Sequence, residues 1–215
     1  MLRGEGISFH YENAPWIFRK LDFTMVPGEV VGLPGPSGRG KSTLGKVLAG
    51  HLAPLEGTVT CDDTPLPTKG YCPVQLLFQH PELTMNPRWK LGDSVNEGYT
   101  PDITTLRGLN IEPSWLARYP HELSGGELQR LALARVMSPA TCYLIADEMT
   151  AMLDPNTQAM VWEVVLRWAR KQNVGVLAIS HDPYLLERVA DRIDNTFSLA
   201  EEFSEEPPRQ RTNAA

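Results

Sequence analysis

The chain has 215 residues, of which 42% are hydrophobic and 21% charged, with a formal net charge of −6. That composition belongs to a soluble globular protein able to bury a real core, as one domain or one domain with a subdomain. The acidic balance argues against a broad nucleic-acid-binding face. Three cysteines, Cys61, Cys72 and Cys142, are odd in number and widely spaced. They fit neither a disulfide framework nor a zinc site and read as ordinary thiols in a reducing compartment.

The N-terminal stretch MLRGEGISFHYENAPW has no apolar leader core, and no run approaches the ~18 apolar residues of a membrane span. GISFHY alternates as a strand does, IFRKLDFTM alternates again after a turn, and VPGEVVGL reads as a Pro-Gly turn leading into a buried strand. GKSTLGKVLAGHL has a helical pattern, GTVTC is a further strand, and VQLLFQ is a short apolar run closed by a polar residue. From about Pro81 to Pro120 the pattern turns irregular and helical, rich in Pro, Asn and Trp. A helix opens after Ser124, CYLIADE is an apolar strand ending in two carboxylates, and a helix covers about Asn156 to Gln172. The strand VGVLAIS, a helix from Pro183 and a last strand near NTFSL complete the core, and a polar tail, expected to be flexible, covers 201–215. Strands and helices alternate, which predicts an α/β fold with a parallel sheet. Trp162 and Trp168 fall at helical spacing and read as core or interface residues.

GPSGRGKST, Gly35 to Thr43, matches the pattern G-x-x-x-x-G-K-[ST] between a strand and a helix. The stretch Gly35, Pro36, Ser37, Gly38, Arg39 and Gly40 turns successive backbone N–H groups inward on phosphate oxygens, and the helix that follows adds positive potential. Lys41 is placed to reach the β- and γ-phosphates of a nucleotide, and Ser42 to ligate Mg²⁺. Asp147 ends a buried strand and is the matching carboxylate for that cation. Glu148 follows it pointing elsewhere and is free to act on a water as general base.

HELSGGELQR places a capping box at a helix start, with Ser124 as N-cap and Glu127 as its partner, yet puts Gly125 and Gly126 in the first turn. Glycine is the poorest helix former short of proline, so a need beyond the helix itself is implied. Taken alone, Gln79 also reads as an edge-strand polar residue, His181 as a helix cap, and Tyr11 as a half-buried strand residue.

Taken together and in order, GPSGRGKST, Gln79, LSGGE, YLIADE, AMLD and SHD resemble an ATP-binding cassette (ABC) ATPase subunit over nearly the whole chain. The resemblance implies a P-loop core with a parallel sheet, an N-terminal antiparallel β subdomain and a small helical subdomain at about 81–137, all within residues 1–200. It implies that Tyr11 stacks on adenine, Gln79 senses Mg²⁺ and the transport domain, Asp154 is the D-loop aspartate, and His181 contacts the γ-phosphate. It further implies head-to-tail pairing with a second cassette, identical or paralogous. Ser124, Gly125, Gly126 and Glu127 of one subunit would then close over nucleotide held by the other, the glycines leaving backbone N–H groups open to an anion. FQHPELTMNPR and YPHELSGG are similar to the oligopeptide, dipeptide and nickel importer branch, although Met149, Ala151 and Met152 stand where that branch usually has Pro, Ser and Ala. The expectation is a peripheral subunit on the cytoplasmic face of the cell membrane, working with permeases and indirectly with a solute-binding protein, and not with nucleic acid. Its cargo would be a peptide, nickel or a metal chelate. A soluble non-transport ABC ATPase would need a second cassette or a coiled-coil insertion. A purely regulatory nucleotide-binding subunit would not need Glu148 and His181.

Overall fold

The computed structural model describes residues 1–12 and 14–199; the tail 201–215 lies outside them. In chain order come β1 (Leu2–Phe9), β2 (Phe18–Met25), β3 (Val30–Leu33), α1 (Lys41–Leu48), β4 (Glu56–Cys61), β5 (Thr64–Pro65) and β6 (Val74–Leu77). The middle of the chain supplies α2 (Leu91–Val95), α3 (Ile103–Gly108) and α4 (Gly125–Val136). Then follow β7 (Tyr143–Asp147), α5 (Pro155–Gln172), β8 (Gly175–Ile179), α6 (Pro183–Val189), β9 (Arg192–Ile193) and α7 (Thr196–Leu199).

Two sheets form among the described residues. One is antiparallel in the order β2-β1-β4-β5, and the other runs β6-β7-β8-β3-β9 with every pairing parallel. The parallel strands are apolar on both faces, as strands covered on both sides must be. Their alternation divides the core. Leu144, Ala146, Val176 and Ala178 face the layer of α4 and α5, with Leu131, Val161 and Trp162, while Trp168 is partly buried against it. Tyr143, Ile145, Leu177 and Ile179 face α1 and the antiparallel sheet, with Leu44, Phe18 and Met25. The α/β core with its parallel sheet is therefore as the pattern predicts.

The segment after β6 is built from short pieces. Single 3₁₀ turns at Pro81–Leu83, Pro113–Ala117 and Pro120–Glu122 each begin with proline, which fits a first helical turn but not an interior. Leu91, Val95, Leu109, Ile111 and Trp115 are buried and join this segment to α4 and the main core.

One reading needs correction, and one strand was not expected. The last strand is Arg192–Ile193, paired with β3, and not NTFSL, where Thr196–Leu199 is helical. The cause is local: the Asp194 carboxylate accepts the Thr196 N–H (3.0 Å) and its hydroxyl (2.5 Å), turning the chain before an extended run can form. The two-residue strand β5 also has no sequence signal of its own length; Asp62 and Asp63, both at positive φ, turn the chain so that it pairs with β4. The three cysteines are free thiols, as expected.

Candidate functional site

The strand order β6-β7-β8-β3 brings together chain segments that are far apart in sequence. In the parallel register Leu77 lies opposite Ala146, Asp147 opposite Ile179, and Ile179 opposite Leu33. All four strands thus end at one edge. The loop with Gln79, the Asp147–Glu148 pair, His181 and the Gly35–Gly40 loop leave the sheet side by side. This is the position at which open α/β sheets bind ligands, beyond the carboxyl ends of their strands.

The loop after β3 is exposed from Pro36 to Arg39. It enters α1 through Gly40, at φ 97°, which makes no side-chain cap bond, and the first helical turn holds no acidic residue. A Cβ at Gly40 would lie 2.2 Å from Ile17 Cγ2, so both backbone angle and space require glycine. The result is a helix N-terminus whose donors are left for an outside anion. Lys41 is only 6% exposed, and its Nζ donates to the carbonyls of Gly35 (2.7 Å) and Pro36 (2.8 Å), curling the loop around the ammonium. Burial lowers the Lys41 pKa, and the charges of Glu148 and Asp147 oppose that fall. Ile17 and the buried Phe197 lie beneath Gly40. Neither carries a sequence signal, because the contact spans the length of the chain.

Asp147 is 6% exposed, and its Oδ1 has no hydrogen-bond partner. Burial raises its pKa, while a hydrogen bond from Ser42, the Glu148 charge and the Lys41 charge act as smaller influences, Ser42 and Lys41 lowering it and Glu148 raising it. Glu148 adopts a left-handed conformation, φ 51°, which is unusual outside glycine and concentrates at functional sites. That turn places its side chain against His181. Its Oε1 accepts the backbone N–H of His181 (2.9 Å) and lies 2.9 Å from the His181 Nδ1. His181 does not cap α6; Asp182 does, accepting from Tyr184 and Leu185. Gln79 is exposed and lies beyond the end of β6, outside any edge strand. Tyr11 likewise lies beyond β1, 44% exposed, with its ring against Phe9 and its hydroxyl 3.4 Å from Thr43 Oγ1.

A second cleft, of about 410 Å³, is lined by Ser124, Gly125, Gly126, Glu127, Arg130, Met152, Leu153, Asp154 and Thr157. No residue of the Gly35–Thr43 loop lines it. Ser124 caps α4 and Glu127 answers it, as the spacing predicts. Asp154 caps α5, accepting from Asn156, Thr157 and the Thr157 hydroxyl. The glycines have a further reason here: a Cβ at Gly126 would meet Leu153 Cδ2 at 2.9 Å and one at Gly125 would meet Met152 Sδ at 3.3 Å. Met152, one of the departures from the importer branch, thus lies on the LSGGE stretch of its own chain, the signature of the resembled family, whereas Met149 is buried in the core. Arg130 belongs to none of the sequence motifs. It lies 4.7 Å over the Trp115 ring and donates to the carbonyls of Gly126 (3.3 Å) and Asn110 (3.0 Å). Its one available signal is the i, i+4 spacing from Gly126.

Among the described residues no helix is long and apolar enough to cross a membrane. A glutathione import ATP-binding protein, GsiA of Pectobacterium atrosepticum, is 33% identical over 193 residues, covering 81% of this chain and 31% of its own length. A putative peptide import ATP-binding protein of Brucella ovis is 30% identical over 215 residues, covering 90% of this chain and 68% of that protein. The putrescine export system ATP-binding protein SapF of Escherichia coli is 29% identical over 191 residues, 81% of this chain and 71% of its own. The chain thus spans about a third of the length of GsiA and about two thirds of the other two. The fold is that of the ATP-binding cassette MJ0796 in a dimeric post-hydrolysis state bound to ADP and Pi, at TM-score 0.78 and 21% identity over 90% of this chain and 93% of that one. The ABC transporter family matches residues 18–151, more than half of the sequence, and the chain belongs to that family.

Proposed function

We propose that this chain is the ATP-binding and ATP-hydrolysing subunit of an importer for peptide-like solutes, working as a pair of cassettes at the cytoplasmic face of the membrane. The convergence of the four strand ends carries the reading. It puts an open helix N-terminus, a lysine, a buried carboxylate and a second carboxylate held by His181 on one edge. Lys41 and the N–H groups of the loop and α1 hold the phosphates, and Tyr11 takes the base. The residues present fit Mg²⁺: Asp147 Oδ1 is buried without a partner beside the Ser42 hydroxyl, giving the hard oxygen donors this cation takes, with Gln79 at the same edge. Held there, the cation would neutralise charge on the phosphate oxygens. Glu148 takes a proton from water and His181 holds that carboxylate in place through the two 2.9 Å contacts. The second cleft shares no residue with this loop, which supports a signature serving nucleotide on another subunit.

Names of the relatives favour a peptide cargo over nickel or a metal chelate, and import across a membrane calls for permeases as partners. The experiment is phosphate release by the purified chain with Mg-ATP, compared with Glu148→Gln. The variant should keep ATP binding and lose turnover by about 10²–10⁴-fold, the usual worth of a general base. A loss below tenfold would remove Glu148 from that role.

A further inference from the structure

The two helix N-termini assigned to phosphate differ in one respect. At α1 the cap is Gly40, with no side-chain bond and no acid in the first turn. At α4 the first turn supplies its own anion. The backbone N–H and the hydroxyl of Ser124 both donate to a single oxygen, Glu127 Oε2, at 2.7 Å each. The return bond, from the Glu127 N–H to Ser124 Oγ, is longer at 3.4 Å. A serine hydroxyl has one proton to donate, and here that proton is committed to Glu127. The two Ser124 bonds hold the Glu127 carboxyl below its ordinary pKa, with smaller help from Arg130 and Arg118, so it is a charged acceptor. A phosphate oxygen reaching Ser124 offers only another acceptor for the same proton.

We propose that Glu127 is an internal competitor of the partner's nucleotide: its carboxylate occupies the Ser124 hydroxyl, and so sets how much ATP is needed to close the pair of cassettes. Gly125 and Gly126 N–H groups receive the phosphate first, and Ser124 joins only when its hydroxyl leaves Glu127. Glu127 is thus a positioning residue acting through Ser124. This rests on the reading in which the signature of one subunit serves nucleotide on the other.

The test uses the chain carrying Glu148→Gln, with Mg-ATP titrated while monomer and dimer are followed by sedimentation velocity. Glu127→Gln keeps an oxygen that accepts the Ser124 N–H but lacks the charge that holds the hydroxyl, and charge-assisted bonds are about twice as strong as neutral ones. The ATP midpoint for dimer formation should fall by roughly fivefold. Glu127→Asp keeps the charge but is one methylene shorter, and it should lower the midpoint in the same direction. In a Ser124→Ala background neither change should move the midpoint. An unchanged midpoint in both variants overturns the competition, and so does a shift that survives in full without the Ser124 hydroxyl, which would mark simple repulsion of the triphosphate. If Glu148→Gln alone forms no dimer at any ATP concentration, the composite-site reading fails and this inference with it.

Discussion

Asp147 shows how a single side chain can be shaped for a ligand at the expense of the unliganded fold. It sits at the end of a wholly buried strand with one oxygen lacking a partner, and burial raises its pKa. A carboxyl whose pKa is higher folded than unfolded binds protons more readily in the native state. Its contribution to stability is therefore present below the unfolded value and lost as pH rises through the folded one. At about pH 7.5 its charge opposes folding. Asp147→Asn should accordingly raise the melting temperature of the nucleotide-free chain, by roughly 2–4 °C if ~1 kcal/mol is relieved. The gain should shrink as pH falls toward the ordinary aspartate range. Calorimetry with and without Mg-ATP checks both halves, since the same variant should lose most of the stabilisation that Mg-ATP confers. A variant that melts lower at neutral pH would mean the charge is well satisfied. Sequence showed that Asp147 ends a strand, but not that one of its oxygens is without a partner, which depends on what packs over it.

At the scale of elements, α1 and α4 are two helix starts with different chemistry. The first is open and cradles Lys41; the second is closed by a capping box and lies against the Met152–Asp154 loop of its own chain. If the second serves only the partner's nucleotide, Ser124→Arg should leave ATP affinity of the monomer within about twofold while abolishing dimerisation and turnover, because a long cation fills the cleft. Lys41→Ala should instead weaken ATP binding by roughly 10–100-fold, the range expected for a lost charge-assisted bond. Mixing the two variants should restore turnover, since one composite site then pairs an intact loop with an intact signature. Fluorescent-nucleotide titration and phosphate release read the two effects separately. Equal loss of monomer affinity in both variants would place the signature in its own chain's site.

On the scale of the whole molecule, the segment after β6 makes a groove of about 670 Å³ with α1 and α4, lined in part by Tyr71, Gln75, Phe78, Leu83 and Arg135. Leu83 is 79% exposed on it, an apolar side chain that the fold itself does not need. Phe78, next to Gln79 in the chain, lines the groove, and Gln129 on α4 reaches the Phe78 carbonyl at 3.4 Å, linking the signature helix to the same loop. Under the importer reading proposed above, such a surface suits a short helix from a permease. Leu83→Arg should cut solute uptake by cells at least tenfold, while ATP turnover of the isolated chain stays within about twofold. Equal loss of both would mean that Leu83 supports the fold and not a partner.

The features legible in the sequence were those with a short range. The phosphate loop, the S-x-x-E cap, the two carboxylates closing CYLIADE and the alternating strands depend on spacings of two to four residues, which backbone geometry translates directly into structure. The same local logic misled at NTFSL, where a side chain two residues upstream turned the backbone into a helix. Tertiary structure decided the rest. Strand order placed β3 beside β8, although β6 and β7 come between them in the chain, and with every pairing parallel this order sets Lys41, Asp147, Glu148 and His181 side by side at one edge. It set Ile17 and Phe197 beneath Gly40, and Met152 and Leu153 against the signature glycines. Crossover connections and layer packing choose among many arrangements of the same elements, and their energies come from apolar contacts between residues far apart in sequence, where no local pattern records them.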